Sequence, residues 1–364
     1  MAVRNGRASK VLLVGNYPPP MCGWAIQTYL VTAELRRRGQ VCDVLKINEN
    51  RKVKSSAYID VQGGLDYFAK VVRFTLRGYH VNVHVNGKSK KGYTLALLAT
   101  LVGRLAFRPA SLTYHGGIPQ DHFPRHDSWK LYHAFRLLFQ TAGKIACDSV
   151  EIKQAIVDYG ISPEKVSAIA TFSPQYAQFT PAGPSAAIEE FLSAHAPVFF
   201  SYLAFRPEYY LDVVREGMKQ FRETYPGAGF LWLGFTEGEL PAARAYAASW
   251  TEEERRSLLL LGNLSHDEFL TLMTRCSACL RSPACDGVAA SVLEALALGV
   301  PVVASENGRR PEGVITYGEQ DADDMCAKMI YAIKNRDSIQ GKGPSADRNL
   351  REDNVACMAD WLTQ

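Results

Sequence analysis

The segment from Ser282 to Ser305 constrains the fold of this chain more than any other stretch. Pro, Asp and Gly residues over 282–287 predict a loop. The Ala- and Leu-rich stretch 289–298 contains no helix breaker and predicts a helix, which Gly299 ends. The β-branched run Val300–Ala304 is typical of a buried central strand in a parallel sheet.

Two carboxylates lie at defined places in this pattern. Asp286 comes just before the helix, and Glu294 lies more than one turn inside it. Amides at a helix start, together with the positive end of the helix dipole, bind anions, and Gly287 lets the backbone approach a ligand closely. A carboxylate set back from that end can accept two hydrogen bonds from a sugar diol. The pattern predicts a sugar nucleotide site; a solvated amphipathic helix is the alternative.

The same segment resembles the acidic-x7-Glu signature of family 4 retaining glycosyltransferases with the GT-B fold. It departs from that signature at Asp286, where the family has Glu. The resemblance implies that Glu294 binds the donor ribose and that Asp286 contacts the transferred sugar. The resemblance also implies a donor site made of Gly23, Gly234, Asn263, Leu264, Gly287, Val288, Ala289, Ala290 and Glu294.

The first residues of the chain predict a second sugar-binding loop. A buried strand over Lys10–Gly15, a Pro-rich loop ending at Gly23, a helix and the strand Val41–Ile47 open a doubly wound α/β domain. The loop lies at the carboxyl end of the first strand, where such sheets bind ligands. It resembles the family's Gly-Gly loop, although Trp24 replaces the second glycine. Trp24 is expected either to stack on a sugar or to pack inside the protein.

His115 follows the predicted strand 110–114 and precedes two glycines. This resembles the family's strand-His-Gly element, whose histidine lies near the reacting sugar. An imidazole at that place could hydrogen-bond a donor hydroxyl. His84 holds a similar place one strand earlier. A purely structural role is the alternative for both histidines.

The resemblance also raises the question of which cations neutralise a donor diphosphate. The family commonly places an Arg and a Lys after the first strand of its donor-binding half. Here Arg206 is present, but Tyr209 or Tyr210 stands at the Lys position. Arg206 can still make a bidentate phosphate contact, and Arg309 or Arg310 could supply the second charge.

The 364 residues suit two domains that each bury a core. We expect an N-terminal domain at 1–175 and a C-terminal domain at 176–348, joined by a Pro-rich linker over 171–184. The resemblance to GT-B proteins implies that the last helix, 349–364, packs back on the first domain.

The net charge of +4 is too small to indicate a nucleic-acid partner. Each basic cluster is expected to be a solvated face. A shared face could instead hold the protein on anionic lipid, as a lipid-linked acceptor would require. These clusters are Arg36–Arg38, Arg51–Lys54 and Lys88–Lys91.

Eight cysteines without a signal peptide indicate reduced thiols in a cytoplasm. Cys276 and Cys279 form a lone CxxC and are expected to be buried structural thiols rather than metal ligands. Asp321 and Asp323 form the one Asp-x-Asp match. Because they open a predicted helix, we interpret them as a solvated first turn and expect no metal site.

Together these features predict an α/β protein of the GT-B fold, with two Rossmann-like, doubly wound parallel-sheet domains facing a cleft. The expected activity is retaining, metal-independent transfer of a hexose from a UDP- or GDP-sugar, without a cofactor, with His115, Asp286 and Arg206 in catalysis. The acceptor would be a glycan, a lipid-linked or a small molecule in polysaccharide synthesis. The expected location is the cytoplasm, with peripheral contact to the inner membrane face.

Two alternatives come from the same fold. One is a catalytically impaired GT-B protein that binds a sugar nucleotide or glycan, which the departures at Asp286, Trp24 and the missing Lys would fit. The other is a sugar-nucleotide epimerase. A phosphorylase is disfavoured because the sequence has no lysine-anchored pyridoxal phosphate motif.

Overall fold

We describe a computed structural model of the chain, which gives residues 8–19, 22–118, 120–284, 289–340 and 351–364. The chain divides into two compact units. Unit 1 contains the described residues up to Gln175 together with Asp353–Gln364. Unit 2 contains the described residues from Tyr176 to Glu352.

The described residues form strands and helices that largely alternate, as expected for α/β units. The strands are β1 (Lys10–Gly15), β2 (Val41–Lys46), β3 (His80–Asn86), β4 (Ser111–His115), β5 (Ile145–Cys147), β6 (Val166–Ala168), β7 (Val198–Tyr202), β8 (Gly229–Leu233), β9 (Leu258–Leu260), β10 (Ala278–Arg281), β11 (Val302–Ser305) and β12 (Ile315–Tyr317). The helices are α1 (Gly23–Arg37), α2 (Gly64–Leu76), α3 (Lys90–Leu105), α4 (Trp129–Thr141), α5 (Val150–Val157), α6 (Ala186–Ala194), α7 (Leu211–Thr224), α8 (Leu240–Ala248), α9 (Glu252–Arg256), α10 (His266–Arg275), α11 (Ala290–Ala297), α12 (Ala322–Lys334), α13 (Arg336–Gln340) and α14 (Asn354–Thr363).

Unit 1 contains a parallel six-stranded sheet in the order β2-β1-β3-β4-β5-β6. The direction of the winding changes between β1 and β3, where Val14 pairs with Val83. The connections after these two strands therefore leave in opposite directions. Doubly wound sheets bind ligands at such a switch point, outside the carboxyl ends of the strands.

Unit 2 repeats this plan with a parallel six-stranded sheet in the order β12-β11-β10-β7-β8-β9. Its switch point lies between β7 and β10, where Ser201 pairs with Leu280. The loop that follows β10 begins at Ser282, so the predicted donor loop starts at the place where this type of sheet binds ligands.

Helix α14 belongs to the core of unit 1. Its side chains Met358, Trp361 and Leu362 are buried together with Val11 and Leu13 of β1. Strands of a parallel sheet need apolar cover on both faces, and α14 supplies part of that cover. The last helix of the chain therefore completes the unit that the first strand begins.

The sequence predicts the buried strands better than the helix starts. β1 has the predicted bounds, whereas the last helix begins at Asn354 rather than 349 because the Asp353 carboxylate caps it, accepting from the Ala356 N–H at 2.8 Å. The sequence patterns predict no element at α2, α6 or β12. Helix α2 starts at the glycine pair Gly63-Gly64, which resembles a loop in the sequence.

Further sequence expectations concern the two buried cysteines, the Asp-x-Asp pair, metal sites and membrane-spanning helices. Cys276 and Cys279 are buried, as predicted, and burial raises the pKa of Cys279 to about 12. Asp321 caps α12, its Oδ1 accepting from the Asp324 N–H at 2.9 Å. Among the residues given above, no cluster of His, Cys, Asp and Glu could hold a metal ion. In the same residues, every helix is too short or too polar to cross a bilayer.

Strand β3 carries two histidines that predict a pH-dependent stability. Burial and the charge of Lys144 lower the pKa of His80 from 6.5 to about 4, and burial and His115 lower the pKa of His84 well below 6.5. The unfolded chain therefore takes up protons that the folded chain does not. The free energy of unfolding should fall as the pH drops from 6.5 towards 4, by about 1.4 kcal/mol per pH unit per histidine.

Urea unfolding at pH 7, 6 and 5 measures this slope. Carboxylates with lowered pKa values, such as Glu34 at about 2, lose most of their contribution to the free energy of unfolding below pH 4.5, which is outside the measured range of pH 7 to 5. The variant His80→Gln should show a smaller slope than the natural chain. A free energy of unfolding that does not change between pH 7 and 5 would contradict the prediction.

Candidate functional site

Helix α11 presents its amino terminus after the predicted donor loop. Ala289 occupies its capping position, and an alanine has no side-chain oxygen to accept hydrogen bonds from the first-turn amides. These amides and the helix dipole favour an anion at this end. Of the predicted site residues, Ala289 and Ala290 lie here, whereas Asp286, Gly287 and Val288 lie outside the described residues.

Glu294 lies on the second turn of α11 and is only 2% exposed. Its Oε1 lies 3.0 Å from Nε2 of His266, at the start of α10. A buried carboxylate is costly unless a hydrogen-bonding partner compensates for the lost water, and His266 is such a partner. The acid that the sequence assigns to the donor ribose is therefore buried and held in one orientation.

The loops after β8 and β9 carry three more predicted residues at the same edge of the sheet. Gly234 has φ +98°, and a Cβ there would lie 2.8 Å from the Tyr202 ring and 2.9 Å from the Leu203 carbonyl, so only glycine fits. Asn263 is exposed and Leu264 half-buried in the loop between β9 and α10. Because parallel strands end at one edge, these residues share that edge with the start of α11.

Arg206, the predicted diphosphate cation, lies on the surface after β7. Its side chain is 57% exposed, and its Nε lies 3.1 Å from Oε1 of Glu239. The guanidinium is thus accessible to a ligand. Any phosphate contact would compete with the Glu239 carboxylate, whose side chain is half-buried.

Two other arginines lie deeper at the switch point of unit 2. Arg281, the last residue of β10, is 7% exposed, and its Nη1 donates to the Tyr202 carbonyl at 2.7 Å. Arg310 follows β11, and it donates from Nε to the Ser305 carbonyl at 2.8 Å and from Nη2 to the Pro283 carbonyl at 2.7 Å. Backbone carbonyls thus orient both guanidinium groups at the ends of adjacent strands, beside the donor loop.

The predicted histidine His115 is fully buried in unit 1 and contacts protein groups with both ring nitrogens. Its Nε2 lies 3.0 Å from Nδ1 of His84, and its Nδ1 lies 3.3 Å from Oδ1 of Asp148. Asp148 also accepts from the Gly116 N–H at 2.9 Å and from the Thr171 hydroxyl at 2.5 Å. An ionised carboxylate only accepts, so Nδ1 of His115 carries a proton and its Nε2 can accept from His84.

Trp24 covers this cluster of unit 1. Its indole stacks on the His115 ring with the centroids 4.5 Å apart and the planes at 25°. Trp24 is half-buried, and the predicted residue Gly23 precedes it as the first residue of α1. Of the two roles expected for Trp24, packing is therefore present, and the cluster lies at the end of β4, one strand from the unit 1 switch point.

Three residues of these sites are not predicted from the sequence. Arg281 was detectable as a cation that ends an apolar strand directly before the donor loop. His266 and Asp148 follow a loop and a strand at the ligand-binding edge, in stretches whose sequence is typical of helix caps. Ser149 alone caps α5, accepting from the Ile152 N–H at 3.3 Å, whereas Asp148 contacts His115.

Comparison with known protein families gives a match within unit 2. Residues 188–342 match the family model described as glycosyl transferases group 1. They are similar to glycosyl transferases of group 1, and we call residues 188–342 the group 1 domain. This group 1 domain includes β7 to β12 and Glu294. No curated protein matches the chain significantly by sequence.

Solved structures have a fold similar to that of this chain. A glycosyltransferase from Rickettsia africae ESF-5 has a TM-score of 0.67 at 13% identity, covering 97% of this chain and 98% of that chain. Anabaena Alr3699/HepE in complex with UDP-glucose has a TM-score of 0.64 at 15% identity, covering 97% and 95%. A UDP-GlcNAc 2-epimerase from Methanocaldococcus jannaschii has a TM-score of 0.60 at 12% identity, covering 97% and 99%. The predicted GT-B architecture is confirmed.

Proposed function

We propose that this protein is a retaining glycosyltransferase that uses a nucleoside diphosphate sugar, UDP- or GDP-linked, as donor. The observation that carries the proposal is Glu294, a buried carboxylate on α11 behind a helix start without a side-chain cap, inside the group 1 domain. A carboxylate there can accept from ribose hydroxyls while the helix amides bind the diphosphate. The likeness to Alr3699/HepE, solved with UDP-glucose, supports testing uridine donors first.

The chemistry we propose is breakage of the bond between the anomeric carbon and the diphosphate oxygen. The diphosphate leaves with the electron pair, and the acceptor hydroxyl oxygen bonds to the same face of the anomeric carbon as its proton passes to the departing diphosphate oxygen. Arg281, Arg310 and Arg206 would stabilise the charge that develops on the diphosphate, together with the amides of α11. These cations are our reason for expecting transfer to be metal-independent, so activity should persist in EDTA.

The acceptor side of the proposal involves unit 1. We propose that Trp24 and the His115 cluster lie near the acceptor, and that Asp286 contacts the transferred sugar. The acceptor would be a glycan, a lipid-linked or a small molecule used in cell-surface polysaccharide synthesis, with the protein in the cytoplasm at the inner membrane face. Co-sedimentation with anionic vesicles would test the proposed contact with the membrane.

The experiment that tests the donor site is a thermal-shift panel of UDP-, GDP-, ADP- and TDP-sugars. A ligand that binds only the folded state raises the unfolding midpoint by mass action. We expect one donor to stabilise the natural chain but not Glu294→Ala, and the same donor to give a product whose anomeric configuration NMR reports. If no nucleotide at millimolar concentration shifts the midpoint, the donor site is refuted.

A sugar-nucleotide epimerase is the second candidate, because the fold is also that of the M. jannaschii UDP-GlcNAc 2-epimerase. NMR of the donor incubated without acceptor separates the two. Epimerised donor would favour the epimerase, and transfer only in the presence of acceptor favours the glycosyltransferase. Binding with neither outcome would indicate a protein that binds sugar nucleotides without turnover.

Arg206 gives a prediction that separates catalysis from stability. The variant Arg206→Ala should lower kcat/KM about 10- to 100-fold, as expected for loss of one charge-assisted phosphate contact. Its melting temperature should change little, because the Arg206 side chain is 57% exposed and an ion pair at such a surface position is worth at most about 1 kcal/mol. Steady-state kinetics and thermal melts of both proteins check this, and unchanged kinetics would remove Arg206 from the donor site.

A further inference from the structure

We propose that His266 is a positioning residue for the donor ribose, acting through the carboxylate of Glu294. This inference rests on the proposed function, because it requires a nucleotide ribose to meet Glu294. His266 would not touch the ligand. It would fix the carboxylate in the orientation that accepts hydrogen bonds from the ribose hydroxyls.

The contact between the two side chains has a defined polarity. Nε2 of His266 lies 3.0 Å from Oε1 of Glu294, and their side chains are 16% and 3% exposed. An ionised carboxylate only accepts hydrogen bonds, so Nε2 of His266 carries the hydrogen. Among the residues that the structure describes, this is the one hydrogen bond to the Glu294 carboxylate, which leaves lone pairs of its oxygens for a ligand.

The imidazole is itself fixed from two sides. The backbone at His266 is the first turn of α10, held by a capping box in which Ser265 and Glu268 bond each other's backbone amides. The His266 ring lies nearly parallel to Phe269, with the planes at 16°. Phe269 in turn packs on Phe200 and Tyr202 of β7, with centroids 5.0 and 5.8 Å away. His266 is thereby tied to the strand that borders the switch point.

In this arrangement the Glu294 carboxylate is already ordered as a hydrogen-bond acceptor before any ligand binds. A carboxylate that is already fixed loses less conformational entropy when ribose hydroxyls donate to it. Without His266 the buried carboxylate would have to find another donor or rotate away, because a buried charge without hydrogen bonds is costly. Ribose recognition should therefore weaken selectively when His266 is removed.

The test compares UDP with 2′-deoxy-UDP by calorimetry, or GDP with 2′-deoxy-GDP if the donor panel selects guanine. We expect the natural chain to bind the ribonucleotide about 10-fold or more tightly than the deoxy form, as for a hydrogen bond to a charged group. In Glu294→Ala the ratio should fall to about 1. In His266→Ala it should fall to about 2 to 3, and His266→Gln, whose amide can donate, should restore part of it.

His195 supplies a matched control. It is a half-buried histidine of the same unit whose Nδ1 lies 3.0 Å from the Phe191 carbonyl, and His195→Ala should leave the ratio unchanged. If His266→Ala weakens both nucleotides by the same factor, the role of His266 is merely structural and the inference is overturned, while the function stands. If Glu294→Ala keeps the ratio of ribonucleotide to deoxynucleotide affinity of the natural chain, the proposed ribose contact of Glu294 is refuted instead.

Discussion

Replacing Glu294 by alanine should lower kcat/KM for the nucleotide sugar at least about 100-fold. The variant removes the carboxylate that we propose accepts hydrogen bonds from the ribose hydroxyls. A hydrogen bond to a charged group contributes about 1.5–3 kcal/mol, and a diol can form more than one such bond. It also leaves His266 without the partner that lies 3.0 Å away. Initial rates at varied donor concentration give kcat and KM separately, and most of the loss should appear in KM.

A conservative variant controls for folding. Glu294→Gln keeps the shape of the side chain but lacks the negative charge, so it should lose less donor affinity than the alanine variant. Thermal melts without ligand report whether either variant is folded. Activity of a folded Glu294→Ala within threefold of the natural chain would exclude Glu294 from the donor site.

Replacing Trp361 by alanine should destabilise unit 1 by about 3–5 kcal/mol. Its side chain is 9% exposed and lies with Val11 and Leu13 in the core that α14 completes. The Lys144 ammonium lies 4.6 Å from its ring centroid, which adds a cation–π contact. Large-to-small substitutions of buried aromatic residues cost energies of this size because they lose apolar burial and leave a cavity.

Trp129 provides the matched control in the same unit. It lies on α4 and is 75% exposed, so Trp129→Ala should change the free energy of unfolding by no more than about 0.5 kcal/mol. Urea unfolding followed by circular dichroism compares the three proteins. Equal costs for the two tryptophans, or a cost below about 1 kcal/mol for Trp361, would show that α14 does not stabilise unit 1.

Sequence patterns predict a secondary-structure element correctly where one short segment is enough to specify it. The apolar run of β1 and the loop-helix-strand segment around α11 specify their elements locally, and the same pattern correctly places Glu294 more than one turn inside the helix. Helix α2 was missed because its start, Gly63-Gly64, resembles a turn, and only packing of Tyr67 and Val71 in the unit 1 core shows its amphipathic face.

Pairings between distant residues could not be predicted in this way. His266 meets Glu294, and Asp148 meets His115, only because separate strands and helices end at one edge of a sheet. The buried position of Arg281 likewise depends on its contact with the Tyr202 carbonyl of a neighbouring strand. Such contacts follow from the order of strands in a sheet, which a single sequence does not specify.

The division of the chain has a consequence for the order of folding during synthesis. Unit 1 is interrupted after Gln175 and resumes at Asp353, so α14 leaves the ribosome only after all of unit 2. At usual rates of translation the faces of Val11 and Leu13 that α14 covers stay exposed for roughly ten seconds or more. The unit made first is therefore finished last, and its nascent form offers an apolar surface that a chaperone could bind.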